Sequence, residues 1–131
     1  MRAIIRQSLA MLALAAMGQA AAAGDVIAHP SLKLQPDEVR AVFLGERQMA
    51  GDTKLVPVDN SAAQTEFLQR WMRMEAQRYT ALWVKKSFRE GLPSPVLKGS
   101  DAEVIAFVRS TPGALGYVTT APADLKVLTK F

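Results

Sequence analysis

The chain has 131 residues, of which 16 are Lys or Arg and 12 are Asp or Glu, and half of its residues are hydrophobic. Acidic and basic residues alternate along it, so we expect no field of a single sign and no nucleic-acid partner. Cysteine is absent and there is one histidine, a composition that excludes disulfides and argues against a structural metal site or a bound cofactor.

The N-terminus has the pattern of a secretory signal peptide over residues 1–23. Two arginines precede an uncharged run from Leu9 to Met17, and a series of small residues ends at Ala23. The run is too short to cross a membrane as a helix, which takes roughly 20 apolar residues. We therefore expect export to the periplasm, cleavage near Ala23, and a single domain formed by residues 24–131.

The first predicted elements of that domain are a strand and a short helix. Residues 26–28 form a β-branched run that ends at His29 and Pro30. His29 is a weak ligand-binding candidate at that strand end, and a simple turn residue is the alternative. A helix is predicted over residues 36–44, with Gly45 as its left-handed cap, and an exposed loop follows it.

The next predicted elements are a strand, a tight turn and a helix. Residues 55–58 are a mainly apolar run that predicts a strand, and residues 63–74 carry apolar side chains at helical spacing. Small anions commonly bind where free backbone N–H groups and the positive end of a helix dipole meet. The alternative for residues 59–61 is a plain helix N-cap. The ligand-binding candidates are Asn60, Ser61, Ala62 and Thr65.

Two more helices and two more strands complete the chain. We expect a helix over residues 75–89, a loop over 91–95, and a helix that begins at Ser100 with a capping box. Strands are expected at residues 114–119 and 125–129. This alternation predicts an α/β fold of three layers, in which helices flank a mixed or largely parallel sheet with residues 55–58 as a central strand.

Several segments resemble the periplasmic phosphate-binding proteins, which are the substrate-binding components of phosphate ABC transporters. Residues 101–118, with Pro112-Gly113-Ala114-Leu115-Gly116-Tyr117-Val118, resemble that family's helix-to-strand segment. Residues 42–45 are similar to its short helix ending in glycine, and residues 55–67 fall at its strand, anion-binding turn and helix. The resemblance implies that residues 24–131 form one lobe of a type II periplasmic binding protein.

The same resemblance indicates that the phosphate-binding side chains have changed. When Thr65 and Phe67 are aligned with the family's Thr and Phe, Asp59 stands in place of the arginine that holds the anion. Ala63 replaces a serine and Gln64 a glycine, so only Thr65 carries over among the side-chain contacts. An aspartate repels phosphate where a bidentate arginine would bind it. Tight phosphate binding by this lobe alone is not expected.

Two functions follow from these observations. The first is an exported solute-binding-like protein with phosphate or another small anion as ligand, whose missing wall comes from a homodimer partner, a transporter or another envelope protein. The second is a lobe reused as a protein-interaction module without a small ligand. No catalytic arrangement can be assembled, so an enzyme is not expected. The apolar rim expected for the second function consists of Leu92, Pro93, Pro95, Leu115 and Tyr117.

Overall fold

The computed structural model describes residues 22–131, so most of the predicted signal peptide of residues 1–23 lies outside the described residues. The elements follow the predicted alternation of strands and helices. In chain order they are β1 (Asp25–Ala28), a 3-10 turn (Pro36–Glu38), α1 (Val39–Phe43), β2 (Met49–Ala50), β3 (Thr53–Lys54), β4 (Val56–Asn60), α2 (Gln64–Phe67), a π-helical turn (Leu68–Met72), α3 (Ala76–Glu90), β5 (Val96–Lys98), α4 (Asp101–Ser110), β6 (Ala114–Val118) and β7 (Lys126–Lys130).

Five of the strands form one mixed sheet in the order β5-β4-β6-β1-β7. Strand β4 runs parallel to β5 and to β6, whereas β1 is antiparallel to β6 and to β7. The predicted mixed α/β fold is therefore confirmed. Strand β4 is internal, but β6 occupies the centre. Strand β4 also begins one residue later than predicted, because the Leu55 N–H donates to the Gln48 carbonyl oxygen across 2.9 Å.

Helices cover both faces of this sheet, which confirms the three layers. Residues alternate between the two faces along each strand, as the strand geometry requires. On β6, Tyr117 packs in a core with Phe43 of α1 and Phe67 of α2, while Val118 packs in a second core with Val104 of α4. All five residues of β6 are buried, which is typical of a strand covered on both sides.

Two local predictions need correction, and one strand was not predicted. The helix expected over residues 63–74 covers residues 64–72, but its second half is π-helical and it ends at Met72, where Arg73 takes a left-handed φ of 56°. The loop expected before β4 contains the β2–β3 hairpin. Strand β5 was not predicted. By contrast, Gly45 has the expected positive φ, and the Ser100 side chain accepts a hydrogen bond from the Glu103 N–H as expected for the cap of α4.

The two ends of the described chain lie side by side on the β1–β7 side of the sheet. The Gly24 N–H donates to the Phe131 carbonyl oxygen at 3.1 Å, and the Phe131 N–H donates back to Gly24 at 3.0 Å. Gly24 therefore lies three strands from β5, next to β1, and Phe131 four strands from it, next to β7. None of the helices within residues 22–131 combines the length and the apolar composition that a membrane-spanning helix needs.

Candidate functional site

The three parallel strands β4, β5 and β6 end at one edge of the sheet, which is the edge where open α/β sheets generally bind ligands. Their last residues are Asn60, Lys98 and Val118. The Ser61 N–H donates to the Lys98 carbonyl oxygen at 2.9 Å, so the turn after β4 is held against the end of β5. The predicted ligand-binding turn of residues 60–65 therefore lies at this edge.

Asn60 is fully buried, and both of its side-chain N–H groups are used inside the protein. Its Nδ2 donates to Asp101 Oδ1 at 2.8 Å and to the Tyr117 carbonyl oxygen at 3.0 Å. Its Oδ1 accepts a hydrogen bond from the Ala62 N–H at 3.0 Å. These bonds join β4 to the start of α4 and the end of β6. Asn60 therefore positions this edge of the sheet and has no side-chain N–H left for an anion.

Asp101 is the second residue that organises this edge. Its Oδ2 accepts hydrogen bonds from the Thr119 hydroxyl and, at 3.0 Å, from the Thr119 N–H. Burial acts to raise the pKa of Asp101, but the hydrogen bonds from Thr119 and Asn60 outweigh it and hold this pKa below its ordinary value. An ionised carboxylate therefore lies next to Asn60, where it disfavours a phosphate.

Asp59 lies on the opposite face of β4 from Asn60, buried beneath α3 with only 4% of its surface exposed. Its carboxyl group accepts hydrogen bonds from the Tyr79 hydroxyl at 2.9 Å and the Tyr117 hydroxyl at 2.7 Å. Burial raises the pKa of Asp59 to about 6, although the two tyrosine hydrogen bonds act to lower it. The pKa values of both tyrosines are raised, first by burial and then by the charge of Asp59.

This arrangement differs from the predicted N-cap role of residues 59–61, which is wrong. The N-cap residue of α2 is Ala63, whose side chain cannot accept a hydrogen bond. Asp59 instead points into the core towards two tyrosines, and Asn60 forms a turn with Ala62. Sequence reasoning missed Tyr79 and Tyr117 as partners of Asp59, because they stand 20 and 58 residues away along the chain.

The remaining residues of the predicted ligand-binding turn are exposed. Ser61, Ala62 and Thr65 reach solvent at the start of α2. The Lys98 Nζ lies 5.2 Å from the centre of the Phe107 ring, so this ammonium group is held towards α4. Within residues 22–131, no group of three acidic or histidine side chains could hold a metal ion.

His29 lies at the opposite end of the parallel strands from this turn. Its N–H donates to the Ala114 carbonyl oxygen at 2.9 Å, at the start of β6 rather than its end. Its Nδ1 is 2.7 Å from the Ser31 hydroxyl oxygen. His29 and the turn at residues 60–65 are therefore at opposite ends of the parallel strands and cannot share one small ligand.

A second surface lies beside the carboxyl ends of these strands, where α3 flanks the outer strand β5. It forms a groove of about 660 Å³ with Asp59, Tyr79 and Trp83 at its base. Three apolar side chains stand out from it: Phe88 is 90% exposed, Val84 65% and Leu97 62%. We define the α3–β5 surface as the residues Thr80, Val84, Ser87, Phe88, Pro95 and Leu97, all of which line this groove.

The α3–β5 surface differs from the apolar rim expected from the sequence. Leu115 and Tyr117 were predicted to lie on that rim, but both are fully buried in the core, so this part of the prediction is wrong. Pro95 does line the groove. A signal for the missed residues existed, since Val84 and Phe88 are spaced i, i+4 and stand outside the core stripe that contains Tyr79 and Trp83.

Comparison with known proteins bears on the fold alone. No protein-family model matches the chain, and no curated protein matches it in sequence. Its fold is similar to the crystal structure of an ABC-type phosphate transport receptor from Vibrio cholerae, with a TM-score of 0.50 and 14% sequence identity. The similarity covers 82% of this chain and 46% of the receptor. The chain thus has a fold like that of a periplasmic binding protein and spans about half of the receptor's length.

Proposed function

We propose that the chain is an exported, non-catalytic binding protein that uses one periplasmic-binding-protein-like lobe to bind another protein. The observation that carries this proposal is the exposure of Val84, Phe88 and Leu97 beside a strand that has no outer neighbour within residues 22–131. The partial overlap with the transport receptor supports a single lobe over residues 24–131. The predicted signal peptide supports a periplasmic location.

The physical argument rests on the free energy of leaving these side chains in water. Burial of one large apolar side chain is worth roughly 1.5–3 kcal/mol, which Phe88 does not contribute when the chain is alone. Strand edges also tend to pair with other chains unless charges, proline or a covering segment protect them. An apolar patch next to an open strand edge is therefore typical of an interaction site.

Phosphate binding at residues 60–65 is the second candidate, because the fold is similar to that of a phosphate transport receptor. The surrounding charges count against tight binding. Asp101 is ionised there, Lys98 is held at Phe107, and the N–H groups of the Asn60 side chain are occupied. Removing water from phosphate without a compensating cation costs several kcal/mol, more than the roughly 1 kcal/mol that one Thr65 hydroxyl returns.

Thermal unfolding with and without phosphate tests this second candidate. A ligand present at about 100 times its dissociation constant adds roughly 2.7 kcal/mol to the free energy of unfolding, so about 10 mM phosphate would raise the melting temperature even for a dissociation constant near 0.1 mM. We expect no change in melting temperature relative to the same concentration of chloride. A clear rise in melting temperature with phosphate would restore phosphate as a ligand.

Site-specific crosslinking in living cells tests the interaction role. A photo-crosslinking amino acid is placed at position 88, and the matched control carries it at position 127, where Val127 is also apolar and 41% exposed but lies on β7. We expect a discrete protein adduct from position 88 and none from position 127. If position 88 gives no adduct, or if both positions give the same adducts, the proposed function is wrong.

A further inference from the structure

We infer that a second copy of this chain covers the α3–β5 surface, with the two β5 strands paired antiparallel about Leu97. This inference rests on the proposed function and names its partner. It follows from the direction of the backbone groups of β5, from the distribution of charge around the surface, and from the contrast between the two edges of the sheet.

Leu97, the middle residue of β5, has its backbone N–H and C=O groups directed away from β4. The Ser61 N–H donates to the Lys98 carbonyl oxygen, and Lys98 pairs with Asn60 in the parallel ladder, so the backbone groups of Lys98 face β4. Because the backbone N–H and C=O groups of successive residues point to alternate sides of a strand, those of Leu97 point away from β4, out of the open edge of the sheet. Two copies of Leu97 placed opposite one another exchange both hydrogen bonds of an antiparallel pair.

The length of β5 favours a copy of the chain over a long foreign strand. The strand has three residues, and Pro95 just before it has no N–H to donate. Few backbone hydrogen bonds are therefore available, and side chains must supply the rest of the interaction. A two-fold axis through the Leu97 pair, perpendicular to the sheet, brings the α3 helices of both copies to the same face. Val84 and Phe88 of one copy then face the same side chains of the other.

Charge supports this self-pairing. Apart from the buried Asp59, the side chains that line the groove are uncharged. The basic residues Arg78, Lys85 and Arg89 of α3 line a different groove on another stripe of the helix. Within the groove two copies therefore meet through uncharged side chains, whereas a charged partner segment would find no opposite charge there. The two Lys98 side chains of the paired strands lie diagonally on the opposite face of the sheet, each held over its own Phe107 ring.

The outer strand on the other side of the sheet, β7, lacks these properties. Strand β7 has a lysine at each end, Lys126 and Lys130, and both are exposed. Antiparallel pairing of two β7 strands would bring the Lys126 of one copy near the Lys130 of the other. Lys130 is paired with Asp25 at 2.6 Å, but exposed lysines on an edge strand still oppose strand pairing. The β5 edge, which has one lysine held away from the groove, is therefore more favourable for self-association than the β7 edge.

Sedimentation velocity of the purified protein between about 1 and 500 µM tests the inference. Because β5 has only three residues and offers few backbone hydrogen bonds, we expect a dimer with a dissociation constant in the micromolar range. The variants Phe88→Glu and Leu97→Lys are expected to weaken dimerisation by at least about 30-fold, as for residues central to an interface. The control variant Val127→Lys on β7 keeps the dissociation constant of the original chain.

The variant Leu97→Pro separates backbone pairing from side-chain packing. It removes an N–H that faces solvent in the monomer, a change that edge strands tolerate, and is expected to abolish the dimer. Leu97→Ala keeps the N–H and is expected to retain a weaker dimer. Circular dichroism melting identifies the variants that remain folded, and only those variants are used to judge dimerisation. Phe88→Glu lies on α3 and leaves β5 itself unchanged.

A monomer at every concentration, or a dimer that persists in both Phe88→Glu and Leu97→Lys, would overturn the inference. The crosslink from position 88 separates this failure from failure of the proposed function. An adduct of twice the monomer mass supports a second copy. An adduct of any other mass overturns the second copy but leaves protein binding through this surface in place, and the absence of an adduct overturns both.

Discussion

Replacing Asp59 with asparagine is expected to remove a loss of stability that the original chain suffers as the pH rises from about 4 to about 7. Asparagine has nearly the same shape as a protonated aspartate and cannot ionise. Its carbonyl oxygen can accept the hydrogen bond from Tyr117, and its N–H group can donate to the Tyr79 hydroxyl oxygen. The variant therefore reproduces the uncharged state of this buried group at every pH.

The magnitude follows from the pKa of Asp59, which burial raises from 3.8 to about 6. Below about pH 3.8 both the folded and the unfolded chain hold the proton, and as the pH rises the unfolded chain releases it first. The folded state is thus destabilised as the pH passes from about 3.8 to about 6. With about 1.4 kcal/mol for each pKa unit, the loss is about 3 kcal/mol. The Asp59→Asn variant has no such loss.

Urea unfolding, followed by tryptophan fluorescence between about pH 4 and pH 8, measures this effect. The useful quantity is the difference in unfolding free energy between Asp59→Asn and the original chain at each pH, because other carboxylates cancel in it. Asp101 has a lowered pKa, for example, and contributes stability that is lost as the pH falls.

We expect the difference in unfolding free energy to grow in favour of the variant by about 2.5 kcal/mol across this range, because roughly 0.5 kcal/mol of the loss is already present at pH 4. The matched control is Asp124→Asn, since Asp124 is paired with Arg109 on the surface and has a lowered pKa. This control should leave the change of the unfolding free energy with pH, between pH 4 and pH 6, the same as in the original chain. A difference for Asp59→Asn that stays constant with pH would refute the assignment of a raised pKa to Asp59.

Three further substitutions test the packing by urea unfolding. Asn60→Ala is expected to cost about 2–4 kcal/mol, because it removes three hydrogen bonds around a buried position. Gly116→Ala is expected to cost about 1–3 kcal/mol, since its new Cβ would lie 2.8 Å from Val104 Cγ1; a cost below 0.5 kcal/mol would contradict this. Arg73→Gly is expected to stabilise by about 0.5–1 kcal/mol, because φ at Arg73 is 56°.

The parts of the fold that could be predicted are those with a local signal. Gly45 and Ser100 mark helix ends through conformational preference and side-chain capping, which act within a few residues. Strand β6 was predicted because its residues are almost all apolar or aromatic, and it is buried on both faces. The layer order followed from the alternation of strands and helices.

The parts that could not be predicted depend on distant partners. Strand β5 has three residues next to a proline and is held in place by β4, so nothing in its own sequence marks it as a strand. The role of Asp59 is set by Tyr79 and Tyr117, which reach it only after folding. The apolar spacing in residues 63–74 fits one continuous helix, and it does not reveal the π-helical turn at Leu68–Met72.

The pairing of Gly24 with Phe131 has a practical consequence for engineering. Since these residues exchange backbone hydrogen bonds at about 3 Å, a short linker can join them and the chain can be reopened at the exposed hairpin tip, Gly51–Asp52. Such a circular permutant places its new ends away from the original ones and keeps every strand of the main sheet. An attachment at Phe131, next to β7, lies roughly 19 Å, or four strand spacings, from β5. A protein immobilised there would present β5 unobstructed.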